Sequence, residues 1–200
     1  MTIIEEGNQR LVFDTSWRAL KFDDHPQHKK RAVCLQGVVE AGDEGKETVS
    51  TKAVDVVALR GDQLVLIELK DFRLSPGVNR DRWLRAGMGL SVEVPAKARD
   101  TVATLVGAVR HDDCGDLRPM AKALIEATAP QVVLLLETGY APDPNAKNPR
   151  ERNYRKTMMD EMKAKLSFLG AKVLVLGQDN VSRFLHGLTV TNLPGATLAP

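Results

Sequence analysis

Two apolar segments joined by a two-residue turn constrain the fold of this chain more than any other feature of its sequence. The segments, AVDVVALR and QLVLIELK, are rich in Val, Leu and Ile, which favour β-strands, and Gly61-Asp62 lies between them. A Gly-containing connection of this length between two such segments is typical of a β-hairpin. The sequence therefore predicts an antiparallel hairpin in which Arg60 faces Gln63 and the pairing continues residue by residue away from the turn.

The predicted register brings three charged side chains to one face of the hairpin. It sets Asp55 opposite Glu68, and directly opposed residues share a sheet face with Cβ atoms about 4.5–5.5 Å apart. Lys70 lies two residues beyond Glu68, so strand alternation returns its side chain to the same face. Two opposed carboxylates on an apolar hairpin are unfavourable unless a cation compensates them. Because carboxylate oxygens are the ligands that Mg²⁺ prefers, we predict a Mg²⁺ or Mn²⁺ site at Asp55 and Glu68.

Lys70 would place a positive charge beside that metal. An ammonium group there can orient or activate a water molecule, or stabilise the charge that develops on a phosphate. The alternative is that Asp55 faces solvent at a strand end and that Glu68 and Lys70 form an ordinary surface pair, since a D…ExK pattern often arises by chance. We favour the functional interpretation because both acids interrupt apolar strands, where an acid is costly without a role.

These residues resemble the motif of the PD-(D/E)xK nuclease superfamily, which has the restriction-endonuclease-like fold. Asp55 and the tripeptide Glu68-Leu69-Lys70 match the motif, with twelve residues between Asp55 and Glu68, although Ala53-Val54 precede Asp55 and the proline that names the motif is missing. The resemblance covers roughly residues 1–137. It implies a Mg²⁺-dependent phosphodiesterase that acts on DNA, or less often on RNA. The fold also serves restriction, repair, recombination and phage-defence proteins, and some members are inactive.

The resemblance also implies accessory residues. Members often carry a further acid on an N-terminal helix and a polar residue on the helix after the motif strand. The candidates for the acid are Glu5, Glu6 and, more weakly, Asp14, and the candidates for the polar residue are Lys97, Arg99 and Asp100. A solvated N-terminal turn and a solvated helix start explain the same residues equally well.

Basic residues follow the motif strand and include an aromatic neighbour, Trp83. We expect Arg80, Arg82 and Arg85 to contact nucleic-acid phosphates, and Arg73 to be a further accessory residue of the site. Trp83 either stacks on a base or anchors the core. The basic residues at 147–156 are interpreted as the solvated side of a helix. His25 and His28 lack further ligands for zinc and are expected on a polar surface loop.

The remaining patterns predict an α/β protein with a mixed central β-sheet flanked by helices. Helices that alternate with strands after the hairpin indicate crossover connections. The expected elements are strands at 32–39, 90–94, 131–137 and 171–177, a polar loop at 40–49, and helices at 96–111, 118–127 and 150–169. We expect one domain over residues 1–200, with a core at about 1–180 and a short C-terminal tail.

Composition limits the partners and the location of the chain. A net charge of +2 is too mild to mark a nucleic-acid binder, so any basic surface must be local. The N-terminus MTIIEEGNQR has acids where a signal peptide needs basic residues, and no segment approaches the apolar length of a membrane span. We therefore expect a cytoplasmic protein that binds no membrane.

The sequence as a whole predicts a metal-dependent nuclease, with DNA as the favoured substrate. The alternative is a catalytically inactive nucleic-acid-binding or assembly module on the same fold. So small a nuclease is expected to rely on a homodimer or a partner protein for targeting. The chain has no GxxxxGK[ST] and no GxGxxG motif, so nucleotide hydrolysis and a dinucleotide cofactor are unsupported.

Overall fold

The computed structural model describes residues 1–31, 37–40, 46–49, 51–73, 89–138, 145, 147 and 153–194. Within these ranges the chain is an α/β protein, as its sequence predicts. In chain order the elements are β1 (Thr2–Glu6), β2 (Gln9–Phe13), β3 (Trp17–Lys21), α1 (Pro26–Arg31), β4 (Gly37–Glu40), β5 (Lys46–Val49), β6 (Val56–Arg60), β7 (Gln63–Asp71), α2 (Leu90–Ala108), α3 (Arg118–Glu126), β8 (Gln131–Glu137), α4 (Tyr154–Lys165), β9 (Lys172–Leu176), α5 (Val181–Phe184) and β10 (Leu188–Asn192). None of the described helices has both the length and the apolar character needed to cross a membrane.

A five-stranded mixed sheet, in the order β3-β6-β7-β8-β9, forms the centre of the structure. Strands β3, β6 and β7 are antiparallel neighbours, whereas β8 and β9 run parallel to β7. The predicted hairpin register is confirmed, because Arg60 pairs with Gln63 and the pairing continues to Val56 opposite Ile67. Gly61 has a φ of 58°, a left-handed backbone conformation that tight hairpin turns use and that glycine adopts without strain.

The two faces of the central sheet are covered differently. Side chains alternate along β7, so Leu64 and Leu66 enter a core with helices α2, α3 and α4, while Val65 and Ile67 enter a second core on the opposite face. That opposite face packs against α5 and against a three-stranded antiparallel sheet in the order β1-β2-β10. Helices therefore flank the central sheet mainly on one side, and a second sheet covers most of the other.

The strand predicted at 90–94 is wrong, because these residues form the beginning of α2. The alternation in LSVEV favours a strand, and Pro95 favours a helix that starts just after it. In the structure Leu90, Val94 and Ala98 recur at intervals of four residues and are fully buried. Burial of this face against the sheet outweighs the local signals and extends the helix back to Leu90.

Most of the other predicted helices and strands are present, and two regions differ from the expectation. Helices α3 and α4 and strands β8 and β9 lie within the predicted segments, with shifts at their ends. The expected loop at 40–49 contains β5, which pairs with β4 in a two-stranded ribbon. The first 21 residues form three strands, whereas the resemblance implied an N-terminal helix. The segment 32–36 of the predicted strand at 32–39 lies outside the described residues.

Residues 181–194 are built into the fold. Strand β10 pairs antiparallel with β2, with Leu188 opposite Phe13, and Val181 enters the core between the two sheets. Leu188 and Val190 are 0% and 4% exposed. Residues beyond the expected core limit therefore close the second sheet.

We expect Leu188→Ala to lower the free energy of unfolding by about 2–5 kcal/mol, because it removes buried methyl groups from the core between the sheets. Thr189→Ala, the exposed neighbour on the same strand, is the matched control and should cost less than about 1 kcal/mol. Urea unfolding followed by circular dichroism measures both values. Equal effects of the two variants would contradict the placement of β10 in the second sheet.

Candidate active site

The motif acids lie where the segments of β6 and β7 run side by side. Asp55 immediately precedes β6, and Glu68 follows Ile67, the last residue of β7 that pairs with β6. The Asp55 carboxylate reaches across to β7, where its Oδ2 accepts a hydrogen bond of 2.7 Å from the backbone N–H of Leu69. This bond fixes the orientation of the Asp55 side chain beside the motif strand.

Lys97 of α2 joins the two motif carboxylates. Its Nζ lies 2.6 Å from Glu68 Oε1 and 3.5 Å from Asp55 Oδ1. Both carboxylates therefore point to the face of the sheet that α2 covers. Among the helix candidates that the resemblance implied, Lys97 reaches the motif, whereas Arg99 is exposed and pairs with Asp100.

Lys70 shares Glu68 with Lys97. The Lys70 Nζ lies 2.9 Å from Glu68 Oε1 and 3.0 Å from Glu93 Oε1 of α2. Glu68 Oε1 thus contacts two ammonium groups, while the buried Glu68 Oε2 has no hydrogen-bond partner in the described part of the chain. The Glu68 side chain is 0% exposed and that of Lys70 is 19% exposed, so Lys70 is the member of this pair that solvent or a substrate can reach.

Burial disfavours the charged forms of both motif acids. It raises the pKa of Glu68, and the negative charge of Asp55 raises that pKa further. It also raises the pKa of Asp55, an effect that the positive charge of Lys97 opposes. Burial lowers the pKa of Lys70, but Glu68 and Glu93 outweigh burial and raise it overall. A cation beside these carboxylates therefore stabilises their ionised forms.

Asp55 also belongs to a group of three carboxylates. One oxygen atom of each of Glu6, Asp23 and Asp55 lies within 4.8 Å of the others. Glu6 ends β1 and Asp23 follows β3, so the group spans the second sheet and the central sheet. Burial raises the pKa of Asp23, and the charges of Asp55 and Glu6 raise it further. Three converging carboxylates at this spacing can hold a metal ion, because Mg²⁺ and Mn²⁺ prefer oxygen ligands.

Of the predicted N-terminal acids, the structure brings Glu6 to the site and leaves Glu5 away from it. The two are neighbours on strand β1, not on a helix as the resemblance implied, so their side chains point to opposite faces. Glu6 also lies 2.9 Å from the ammonium of Lys21, whereas Glu5 is exposed and pairs with Arg10 at 2.7 Å. Strand alternation therefore separates two candidates that the sequence could not distinguish.

Asp23 is the acid of this group that the sequence interpretation missed. It lies two residues beyond β3, beside Phe22, whose backbone N–H donates to the carbonyl oxygen of Asp55 at 2.8 Å. The sequence carries a weak signal, the acidic pair Asp23-Asp24 directly after the apolar segment WRALKF. That signal becomes informative only once β3 is known to pair with β6, which places the two strand ends together.

Of the arginines that follow the motif strand, Arg73 is among the residues that the structure describes. Outside the described residues lie Arg80, Arg82 and Arg85, together with Trp83. Arg73 is described, and its Nη2 lies 2.6 Å from Asp71 Oδ2 and donates to Asn192 Oδ1 at 2.8 Å. Arg73 therefore links the end of β7 to β10 in the second sheet.

His25 and His28 are buried rather than placed on a surface loop. Their rings pack on Phe22 with centroid separations of 5.8 and 5.7 Å, and His25 Nε2 lies 2.8 Å from Asp116 Oδ2. These contacts give both histidines a packing role around α1.

The arrangement offers carboxylate ligands for a divalent cation next to an accessible ammonium group. Together these groups can polarise a phosphate, position water and balance the negative charge of a phosphoryl transition state. No protein-family model, curated protein or solved structure matches this chain.

We expect Asp71→Asn to lower the free energy of unfolding by about 1–3 kcal/mol near pH 7, because it leaves the partly buried guanidinium of Arg73 without its carboxylate. Burial opposes ionisation of Asp71, but hydrogen bonds from Arg73 outweigh burial and lower the pKa of Asp71 below its unfolded value. The carboxylate therefore adds stability above its unfolded pKa of about 3.9, and this contribution is lost as the pH falls through the lower folded pKa.

Urea unfolding of Asp71→Asn and wild type near neutral pH and in acid measures this contribution. The stability difference between the two proteins should narrow as the pH falls below about 4. A difference that stays constant down to about pH 2 would show that the carboxylate charge is not what Arg73 requires.

Proposed function

We propose that this chain is a divalent-metal-dependent nuclease that hydrolyses phosphodiester bonds, with DNA as the favoured substrate. The observation that carries the proposal is the convergence of Asp55, Glu68 and Lys70 beside Lys97 on one face of the central sheet. Asp55, Glu68 and Lys70 are the residues through which the sequence resembles the PD-(D/E)xK superfamily. The order of hairpin, helix α2 and parallel strand β8 supports a restriction-endonuclease-like arrangement.

The described residues fit a Mg²⁺ or Mn²⁺ ion. Oxygen ligands converge at Glu6, Asp23 and Asp55, and Glu68 Oε2 is a buried carboxylate oxygen without a partner in the described ranges. Burial and neighbouring carboxylates raise the pKa values of Asp23 and Asp55, so a divalent cation among the three acids would favour their ionised forms.

Each residue of the site has a distinct role in the proposed reaction. Asp55, with Glu6 and Asp23, would hold the ion, and Glu68 adds a further carboxylate beside Asp55. A divalent ion in such a site polarises a phosphate oxygen and lowers the pKa of water. Lys70, as the more accessible lysine, is placed to orient the attacking water or to stabilise the charge that develops on the phosphate.

A nucleic-acid substrate requires basic contacts beyond the acidic cluster. We assign the phosphate contacts to Arg80, Arg82 and Arg85, because they follow the motif strand β7 in the chain. Targeting would come from a homodimer or a partner protein. Phage defence and DNA repair are settings in which such an activity is expected.

A catalytically inactive nucleic-acid-binding or assembly module is the second candidate. It is favoured by the lysine contacts of the motif acids, because Lys70 and Lys97 already compensate the charge of Glu68 without a metal. In that case the motif residues stabilise the packing of α2 on the sheet. This candidate predicts neither Mg²⁺ binding in calorimetry nor cleavage of any nucleic acid.

We expect the purified protein to cut linear, circular or single-stranded DNA in Mg²⁺ or Mn²⁺ and to be inactive in EDTA. Lys70→Met and Asp55→Asn should slow cleavage by at least about 100-fold, because each removes a charge that acts on the phosphate or the metal. Asn is chosen at position 55 because its oxygen can still accept the Leu69 N–H, which Ala would leave unpaired.

The control for this experiment is Lys122→Met, which removes an exposed lysine on α3. It should cut at the wild-type rate, and circular dichroism should show that all three variants are folded. Wild-type cleavage rates in folded Lys70→Met would contradict the role of Lys70, and RNA cleavage without DNA cleavage would overturn the favoured substrate.

We expect Glu6→Gln and Asp23→Asn each to weaken Mn²⁺ binding by at least about 10-fold, the loss that even an indirect partner of a bound metal typically causes. Both acids contribute a carboxylate oxygen to the group around Asp55. Glu5→Gln, the exposed neighbour of Glu6 on the same strand, is the matched control and should bind like wild type. Isothermal titration calorimetry measures the affinities. An equal loss in Glu5→Gln would remove the support for a specific site.

A further inference from the structure

Lys97 occupies the space between the two motif carboxylates. Its Nζ lies 2.6 Å from Glu68 Oε1 and 3.5 Å from Asp55 Oδ1. All three side chains are largely withdrawn from solvent, with 13% exposure for Lys97, 0% for Glu68 and 9% for Asp55. The ammonium group therefore stands between acidic oxygens, in a position that a metal ion shared by Asp55 and Glu68 would need.

Lys70 is placed differently from Lys97. Its ammonium group also contacts Glu68, but its other ion pair is with Glu93, which is 22% exposed. Lys70 thus faces the more open side of the site. Of these two lysines, Lys97 is the one that bridges the motif acids.

Asp55 belongs both to this lysine position and to the group of three carboxylates. In that group Glu6 and Asp23 approach Asp55 with oxygen atoms within 4.8 Å of one another. The two arrangements differ in how many of their acids a lysine contacts. In the group of three, Lys21 contacts Glu6 and pairs otherwise with Asp24, outside the group. Lys97 contacts both Asp55 and Glu68.

We propose that Lys97 takes the place of a second divalent ion, so that this chain binds one metal ion where its carboxylates could otherwise hold two. The first ion, at Glu6, Asp23 and Asp55, rests on the proposed function. The second position, between Asp55 and Glu68, is inferred from the contacts of Lys97. Its ammonium group excludes another cation both by occupying the space and by like-charge repulsion, which is strong at a buried site.

Removal of the Lys97 charge should open the second position. Asp55 and Glu68 would then be a buried carboxylate pair with Lys70 as the remaining lysine at Glu68. An uncompensated buried charge is strongly unfavourable, so the pair should recruit a cation from solution. The number of bound ions therefore reports on the role of Lys97 independently of cleavage.

The test counts Mn²⁺ ions bound per chain, by isothermal titration calorimetry and by electron paramagnetic resonance of the free ion. Wild type and Lys97→Arg should bind one ion, and Lys97→Met should bind two. Lys122→Met, which removes an exposed lysine, should bind one. The double variant Lys97→Met/Glu68→Gln should return to one, because it removes a carboxylate of the second position together with the lysine.

Melting curves in EDTA and in Mn²⁺ accompany the count, since Lys97→Met loses a buried ion pair. We expect Mn²⁺ to raise the melting temperature of Lys97→Met more than that of wild type, because the added ion replaces the lost ammonium group. Lys97→Met that binds no more ions than wild type would overturn the proposal. Its failure to fold in Mn²⁺ as well as in EDTA would overturn it too.

The count distinguishes this inference from the proposed function. If wild type binds no ion and Lys97→Met binds one, Lys97 does take the place of a divalent ion, and the metal site at Glu6, Asp23 and Asp55 is wrong. If both proteins bind one ion, the metal site stands and the role of Lys97 is wrong.

Discussion

A fully buried carboxylate on a central strand is the constraint on which the rest of this structure depends. Glu68 sits on β7 with apolar neighbours, where an unpaired charge would cost several kcal/mol. Lys70 from the same strand and Lys97 from α2 compensate it at 2.9 and 2.6 Å. Because Lys97 comes from a helix, the need to compensate Glu68 also fixes how α2 packs on the sheet. The compensation of Glu68 and the burial of apolar side chains therefore specify the same packing of α2 on the sheet.

The hairpin that carries this carboxylate could be predicted from the sequence, because its information is local. Gly61-Asp62 sets the turn, and the turn sets the register of every pair up to Val56 and Ile67. The contacts from α2 could not be derived in the same way. Lys97 was one candidate among neighbours, and choosing it requires the rotation and position of a helix that begins earlier than Pro95 suggests. The packing of buried faces decides that position, and local alternation does not reveal it.

The second sheet was missed for two physical reasons. The segments of β1 and β2 did carry a signal, since Gly7-Asn8 separates two short segments and every second residue of β2 is buried. Acidic residues in β1 obscured the pattern, because Glu5 and Glu6 are equally compatible with a solvated N-terminal turn. The pairing of β2 with β10 joins opposite ends of the chain. No local pattern encodes such a pairing, so Asp23 and Glu6 could be grouped with Asp55 only in the folded structure.

The position of Glu6 at the end of β1 links ion binding to the packing between the two sheets. The carboxylate group of Glu6, Asp23 and Asp55 draws on both sheets, so its spacing depends on how the sheets stack through apolar residues such as Ile4 and Leu11. Close-packed interiors transmit small displacements instead of absorbing them. A substitution deep between the sheets can therefore alter ion affinity without touching a ligand, and a bound ion would act as a clamp that resists sliding of one sheet over the other.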